Sequence, residues 1–140
     1  MKAYLTKRYR FSASHRLHNE QMTAEENAAT YGKCNNPHGH GHNYALEVTV
    51  SGQVDPRTGM VCDLGDLDAV VDREIVERFG HENLNMLPQF AGKVPTSENL
   101  AAEVFNILRR ELTAAHLEKV RLEETSLNSF EYAGGADIRE

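Results

Sequence analysis

His40-Gly41-His42-Asn43-Tyr44-Ala45-Leu46-Glu47-Val48-Thr49-Val50 alternates with period two, and that alternation decides the fold class. Leu46, Val48 and Val50 share one face, with Ala45, Glu47 and Thr49 opposite, the pattern of a strand resting one side on a core. His40 and His42 fall in phase with the apolar set, so a His-x-His pair stands at the inner end of the core-facing side. Working outward, residues 4–15 alternate as well. Leu5, Tyr9, Phe11, Ala13 and His15 lie on one face, and Thr6, Arg8, Arg10, Ser12 and Ser14 on the other, with Lys7 interrupting the apolar run. Pairing these two strands brings His15 toward His40 and His42. Three neutral imidazoles leave the fourth position of a zinc ion open, which is the catalytic form of such a site. His38-Gly39-His40 is a second His-x-His pair, and periodicity alone does not choose between them.

The remaining segments alternate between helix and strand signals. Thr23-Ala24-Glu25-Glu26 matches a capping box and Gly32 offers a stop, predicting a short helix over about 24–31 inside a long polar connection. Asp55-Pro56-Arg57-Thr58-Gly59 is a turn signal. Asp63 can cap a helix whose apolar stripe is Leu64, Leu67, Val71, Ile75 and Phe79, with Gly80 as its stop. Pro95-Thr96-Ser97 opens a second amphipathic helix that turns Leu100, Val104, Ile107, Leu108 and Leu112 inward. Residues 118–125 return to period two with Val120, Leu122 and Glu124 in phase, and Phe130 and Tyr132 mark a last short strand. The order is ββααββ. It predicts an α+β fold: a four-stranded antiparallel sheet with two helices on one face.

Outside the three metal candidates, Cys34, His81 and Glu124 are the side chains to weigh for chemistry, and Cys62 is the one to set aside. Cys34 sits in the long polar loop beside the metal candidates, where a cation would raise its thiolate fraction. Cys62, near a helix start, reads as a small packing residue. His81 follows a helix end, where capping or exposure is the ordinary role. Glu124 prolongs an apolar strand face, and a carboxylate there needs a partner unless the strand has reached solvent. Buried, it can grip an amidine-like edge with two hydrogen bonds.

Composition narrows the partners. With 140 residues, the chain is expected to form one domain over 1–140. A net charge of −6 argues against a broad nucleic-acid face. No apolar run approaches the roughly 20 residues that span a bilayer, so no membrane role is expected. The N-terminus lacks a signal-peptide core, and two cysteines make no disulfide framework, so a cytoplasmic location is the expectation.

Several motifs in order resemble the 6-pyruvoyltetrahydropterin synthase family, which includes the 6-carboxytetrahydropterin synthases of queuosine biosynthesis. They are Phe11-Ser12-Ala13-Ser14-His15, Cys34-Asn35-Asn36-Pro37 with Gly39-His40-Gly41-His42-Asn43-Tyr44, His81-Glu82-Asn83-Leu84, Thr96-Ser97-Glu98-Asn99 and Glu123-Glu124-Thr125. The resemblance implies Zn2+ on His15, His40 and His42, with Asn43-Tyr44 and strand phase favouring these over His38. It implies Cys34 as the proton-abstracting thiolate, His81 as its catalytic partner, and Glu124 with Thr96, Ser97 and Glu98 in the pterin pocket. The implied substrate is a pterin triphosphate, 7,8-dihydroneopterin triphosphate. The pyruvoyl branch expels triphosphate and yields 6-pyruvoyltetrahydropterin; the queuosine branch loses acetaldehyde and yields the 6-carboxy product. Six positions from Cys34 to His40 match the pyruvoyl spacing. The implied fold is the tunnelling fold, assembled as a homohexamer, a dimer of trimers. One departure stands out: the family usually carries Asp immediately before the catalytic His, and this chain carries Gly80. A pterin-binding zinc protein with weakened catalysis is the rival that this departure suggests. On that pattern Gly80→Asp is expected to raise the rate if the carboxylate is what His81 lacks.

Overall fold

The computed structural model describes residues 1–135, so the last five residues of the expected domain lie outside the described ones. Strands β1 (Lys2–His15) and β2 (His40–Gln53) form one long antiparallel hairpin, in register from Lys2 opposite Gln53 to His15 opposite His40. Unbroken pairing follows from two matching period-two patterns, since a one-residue slip would turn every apolar side chain to the other face. β3 (His116–Thr125) pairs with β2, and β4 (Asn128–Tyr132) with β3, giving sheet order β1-β2-β3-β4, all antiparallel. A bulge where Lys119 opposes Thr49 and Leu117 opposes Val50 keeps Leu117 and Val120 both buried despite their odd spacing. A second irregularity, between Glu123 and Thr125, falls on Glu124.

The helices that follow β2 cover the inner face of the sheet, whereas the first helix lies against the turn that follows it. Helix α1 (Ala24–Tyr31) carries the capping box on Thr23 and Glu26, and Gly32 ends it with φ 56°. Helix α2 (Leu64–Val71) is capped by the Asp63 carboxylate, which accepts from the Gly65 and Asp66 amides. It runs on through a π turn (Asp72–Val76) into a closing turn, α3 (Glu77–Phe79). Leu67, Val71, Ile75 and Phe79 recur every four residues, which in a straight α-helix drifts about 40° per step. The wider π turn absorbs that drift, so all four stay buried. Leu64 is the exception to the expected stripe: it stands in the first turn and is 40% exposed. Helix α4 (Ser97–Glu111) starts at the Thr96 cap, and Leu100, Val104, Ile107 and Leu108 pack against Leu46, Val48, Val120 and Leu122 in one core. Leu112 lies just past its end and packs at the margin.

Among the described residues no helix is long and apolar enough to cross a membrane. What matters for function is the open end of the hairpin. There the core gives way to imidazoles, and residues 81–83 run along the free edge of β1, with Ser14 bridged to Asn83.

Candidate active site

Hairpin register places the histidines. His15 and His40 are direct cross-strand partners, and His42 lies two residues further on the same face. Their rings stand almost mutually perpendicular, with centroids 4.8, 5.0 and 4.8 Å apart. One ligand atom from each lies within 4.8 Å of the others, so the three can hold a metal ion. His15 Nδ1 meets the Pro95 carbonyl oxygen at 2.8 Å. That contact sets the proton on Nδ1 and leaves the Nε2 lone pair for the centre. His15 Nε2 and His40 Nε2 are 3.2 Å apart, and two nitrogens on a tetrahedral ion stand about 3.3 Å apart when each bond is about 2.0–2.1 Å. His42 Nε2 is buried without a hydrogen-bond partner. A buried lone pair left unmatched is costly unless something fills the gap. Burial lowers the pKa of His15 and of His42, favouring the neutral imidazole a metal needs. His38 is exposed and outside this cluster.

Glu124 is mostly buried, its side chain 17% exposed. Its Oε1 stands 3.6 Å from His42 Nε2, and its Oε2 accepts a short hydrogen bond from Ser97 Oγ. Glu124 sits at the β3 irregularity, and its carboxylate meets the N-terminus of α4 through Ser97. Of the α4 residues expected beside it, Ser97 arrives. Thr96 Oγ1 is occupied by the Asn99 amide as the helix cap, and Glu98 is exposed.

Cys34 lies on a 3-10 turn, Gly32–Asn35. With Lys33, Asn36 and His40 it lines a cleft of about 570 Å³. Burial, and then the Glu124 charge, push its thiol above the ordinary value, so only a nearby cation turns it into an effective base at neutral pH. His81 stands elsewhere. It is exposed and shares a cleft of about 410 Å³ with Ser12, His42, Asn43 and Glu82, and a second of about 600 Å³ with Arg10, Tyr44, Glu77 and Gly80. Cys34 lines neither of them.

The backbone around His81 is unusual. His81 has φ 62°, a left-handed conformation uncommon outside glycine, asparagine and aspartate. Gly80 is extended at φ −63°, ψ 130°, so it ends the helix without the left-handed turn expected of it. A Cβ on Gly80 would meet the Val76 carbonyl oxygen well inside 3.0 Å, closer than real Cβ atoms come. A side chain at Gly80 is therefore costly on the backbone as folded, and the expectation that Gly80→Asp raises the rate has that crowding against it. The backbone as folded has no room for that side chain.

Reading the sequence alone missed the residues that tether the Cys34 loop: Arg16 donates to the Asn35 carbonyl and is itself held by the Asn85 side chain. Two asparagines in one turn, Asn83 and Asn85, and Asn35 beside the cysteine were the available signal, but asparagine in a loop ordinarily reads as turn chemistry.

Residues 4–135 match the family model described as 6-pyruvoyl tetrahydropterin synthase. A human relative named 6-pyruvoyl tetrahydrobiopterin synthase is 45% identical over 133 residues, covering 94% of this chain and 92% of its own. A Dictyostelium discoideum relative of the same name is 38% identical over 131 residues, covering 93% and 95%. The solved Caenorhabditis elegans 6-pyruvoyl tetrahydropterin synthase superposes with a TM-score of 0.92 at 40% identity, over 96% of this chain and 97% of that one.

Proposed function

The chain belongs to the 6-pyruvoyl tetrahydropterin synthase family, and from that membership we propose that it is a lyase converting 7,8-dihydroneopterin triphosphate to 6-pyruvoyltetrahydropterin and triphosphate. The observation that carries this reading is the convergence of His15, His40 and His42 beside a free thiol and a mostly buried carboxylate. Zinc is the ion these ligands suit best, and when bound it supplies Lewis acidity to the hydroxyls of the substrate side chain. The chain's own groups do the rest. Glu124, presented by β3 and hydrogen-bonded to Ser97, grips the 2-amino and N3 edge of the pterin ring. Cys34 Sγ removes the proton from the side-chain carbon, and His81 serves as the exchanging acid and base. Thr96 and Glu98 contribute through the helix N-terminus that faces the ring. Loss of triphosphate then follows from tautomerisation.

Because Cys34 and His81 of one chain line different clefts, the reading includes a homohexamer, a dimer of trimers, in which a neighbouring copy supplies His81. Closing sheets into a shared barrel would also protect the free strand edges. Its place is the cytoplasm, acting as one catalytic domain. The test pairs variants. Cys34→Ala should lose turnover while keeping one zinc per chain; zinc lost in proportion would make the thiol a ligand. Mixing subunits of Cys34→Ala and His81→Ala should recover part of the activity, and no recovery would refute the shared site.

A further inference from the structure

Two stretches far apart in the chain are laced together beside the triad, and the chemistry above uses none of the side chains that do it. The Leu17 amide donates to the Cys34 carbonyl at 2.8 Å. Asn35 Nδ2 donates to the Leu17 carbonyl at 2.8 Å and contacts His18 Nδ1 at 3.0 Å. Arg16 Nε donates to the Asn35 carbonyl at 3.2 Å. Arg16 is in turn held by Asn85, whose Oδ1 accepts from the Arg16 amide at 2.7 Å and whose Nδ2 donates to the Arg16 carbonyl at 2.8 Å. That side-chain amide pairs both backbone groups of Arg16, as a residue of a neighbouring strand would. It continues a ladder along the free edge of β1, in which His81 donates to Ser12 and Ser14 donates to Glu82.

The thiol needs such a hold. Cys34 sits on a four-residue 3-10 turn, Gly32–Asn35, with no sheet pairing of its own. Its loop meets the histidine strand again at Gly39, φ 69°, where an added Cβ would come within 2.9 Å of the His15 carbonyl oxygen. Both flanks of the thiol are thus referred to the backbone that runs from the His15 carbonyl to Leu17. Catalytic groups must be held to about 0.5 Å, and a 1 Å misplacement can cost about 100-fold in rate.

We propose that Asn35 and Arg16 are positioning residues for Cys34, with Asn85 fixing the Arg16 backbone, so that this clamp sets the distance from the thiol to the three imidazoles. The proposal rests on the reading that Cys34 takes the substrate's proton. Two zinc-loaded variants of the full chain test it: Asn35→Ala, and Arg16→Gln, which truncates a half-exposed side chain and opens no core. Each is measured for kcat, KM, zinc content, and the rate of Cys34 alkylation by iodoacetamide, with Cys62 in the same digest as reference. The clamp predicts kcat lower by about 10–100-fold with KM within about two-fold, zinc unchanged, and Cys34 alkylated several times faster. Should Asn35→Ala fail to fold, Arg16→Gln decides alone. Parent-like kcat and alkylation in Arg16→Gln overturn the proposal, and so does a fall in kcat matched by loss of zinc. If the parent itself converts no pterin, the functional reading fails, and the alkylation rates still decide the clamp.

Discussion

Adding a single methyl group at Gly80 should damage this protein more than most core substitutions of that size. The residue's own dihedrals are ordinary, so the cost comes from contact alone. A Cβ there lies well inside 3.0 Å of the Val76 carbonyl oxygen, the same oxygen that accepts the Gly80 amide at 2.9 Å. Relief requires moving one against the other, which strains or breaks that hydrogen bond. Overpacking costs about 1–3 kcal/mol and a weakened hydrogen bond about 1 kcal/mol, so Gly80→Ala should lose about 2–4 kcal/mol. For a domain of this size each kcal/mol moves Tm by about 3–4 °C. Thermal unfolding followed by circular dichroism should therefore show Tm lower by about 6–16 °C. His81 follows directly, in its left-handed conformation, so turnover by Gly80→Asp should fall with Tm. A Gly80→Ala variant with parental Tm, or a faster Gly80→Asp enzyme, would refute the contact argument.

Metal removal should lower stability as well. With zinc at about a thousand times its Kd the holoprotein gains about 4 kcal/mol, so chelation lowers Tm and His15→Ala abolishes the response; a Tm indifferent to metal in the parent contradicts the site. A separate pH effect comes from Asp68, which accepts both Lys7 Nζ at 2.6 Å and Tyr9 OH at 2.8 Å. These hydrogen bonds, Lys7 first, hold its carboxyl below the ordinary 3.8. A lowered acid stabilises the fold above 3.8 and loses that contribution as pH falls through its folded value. Urea titrations should show the parent losing its advantage over Asp68→Asn as pH drops below about 4, and a pH-independent difference would dismiss the coupling.

The local parts of this fold are legible in the sequence, and the long-range parts less so. The two alternating strands, the Thr23 capping box, the Asp63 cap and the Pro95-Thr96-Ser97 start all depend on neighbours within a few residues, and each element forms where its signal stands. The register of His15 against His40 follows from matching two such patterns. The i+4 spacing from Leu67 to Phe79 already carried the need for a π turn, which a simple helical stripe conceals. Two bulges in β3 shift its phase, and nothing in residues 116–125 announces them. The pairing of Asn85 with Arg16 joins residues 69 apart in the chain, and only the folded edge of β1 makes it. The crowding at Gly80 was likewise invisible, because it depends on where the Val76 carbonyl points.

On the proposed function, three imidazoles, one thiol and one carboxylate serve a single lyase reaction. Incubating the zinc-loaded protein with 7,8-dihydroneopterin triphosphate and weighing the products by mass spectrometry tests it most directly. The expected products are 6-pyruvoyltetrahydropterin and free triphosphate in equal amounts. Acetaldehyde with a 6-carboxy pterin, or substrate recovered unchanged from protein that holds its zinc, would contradict it.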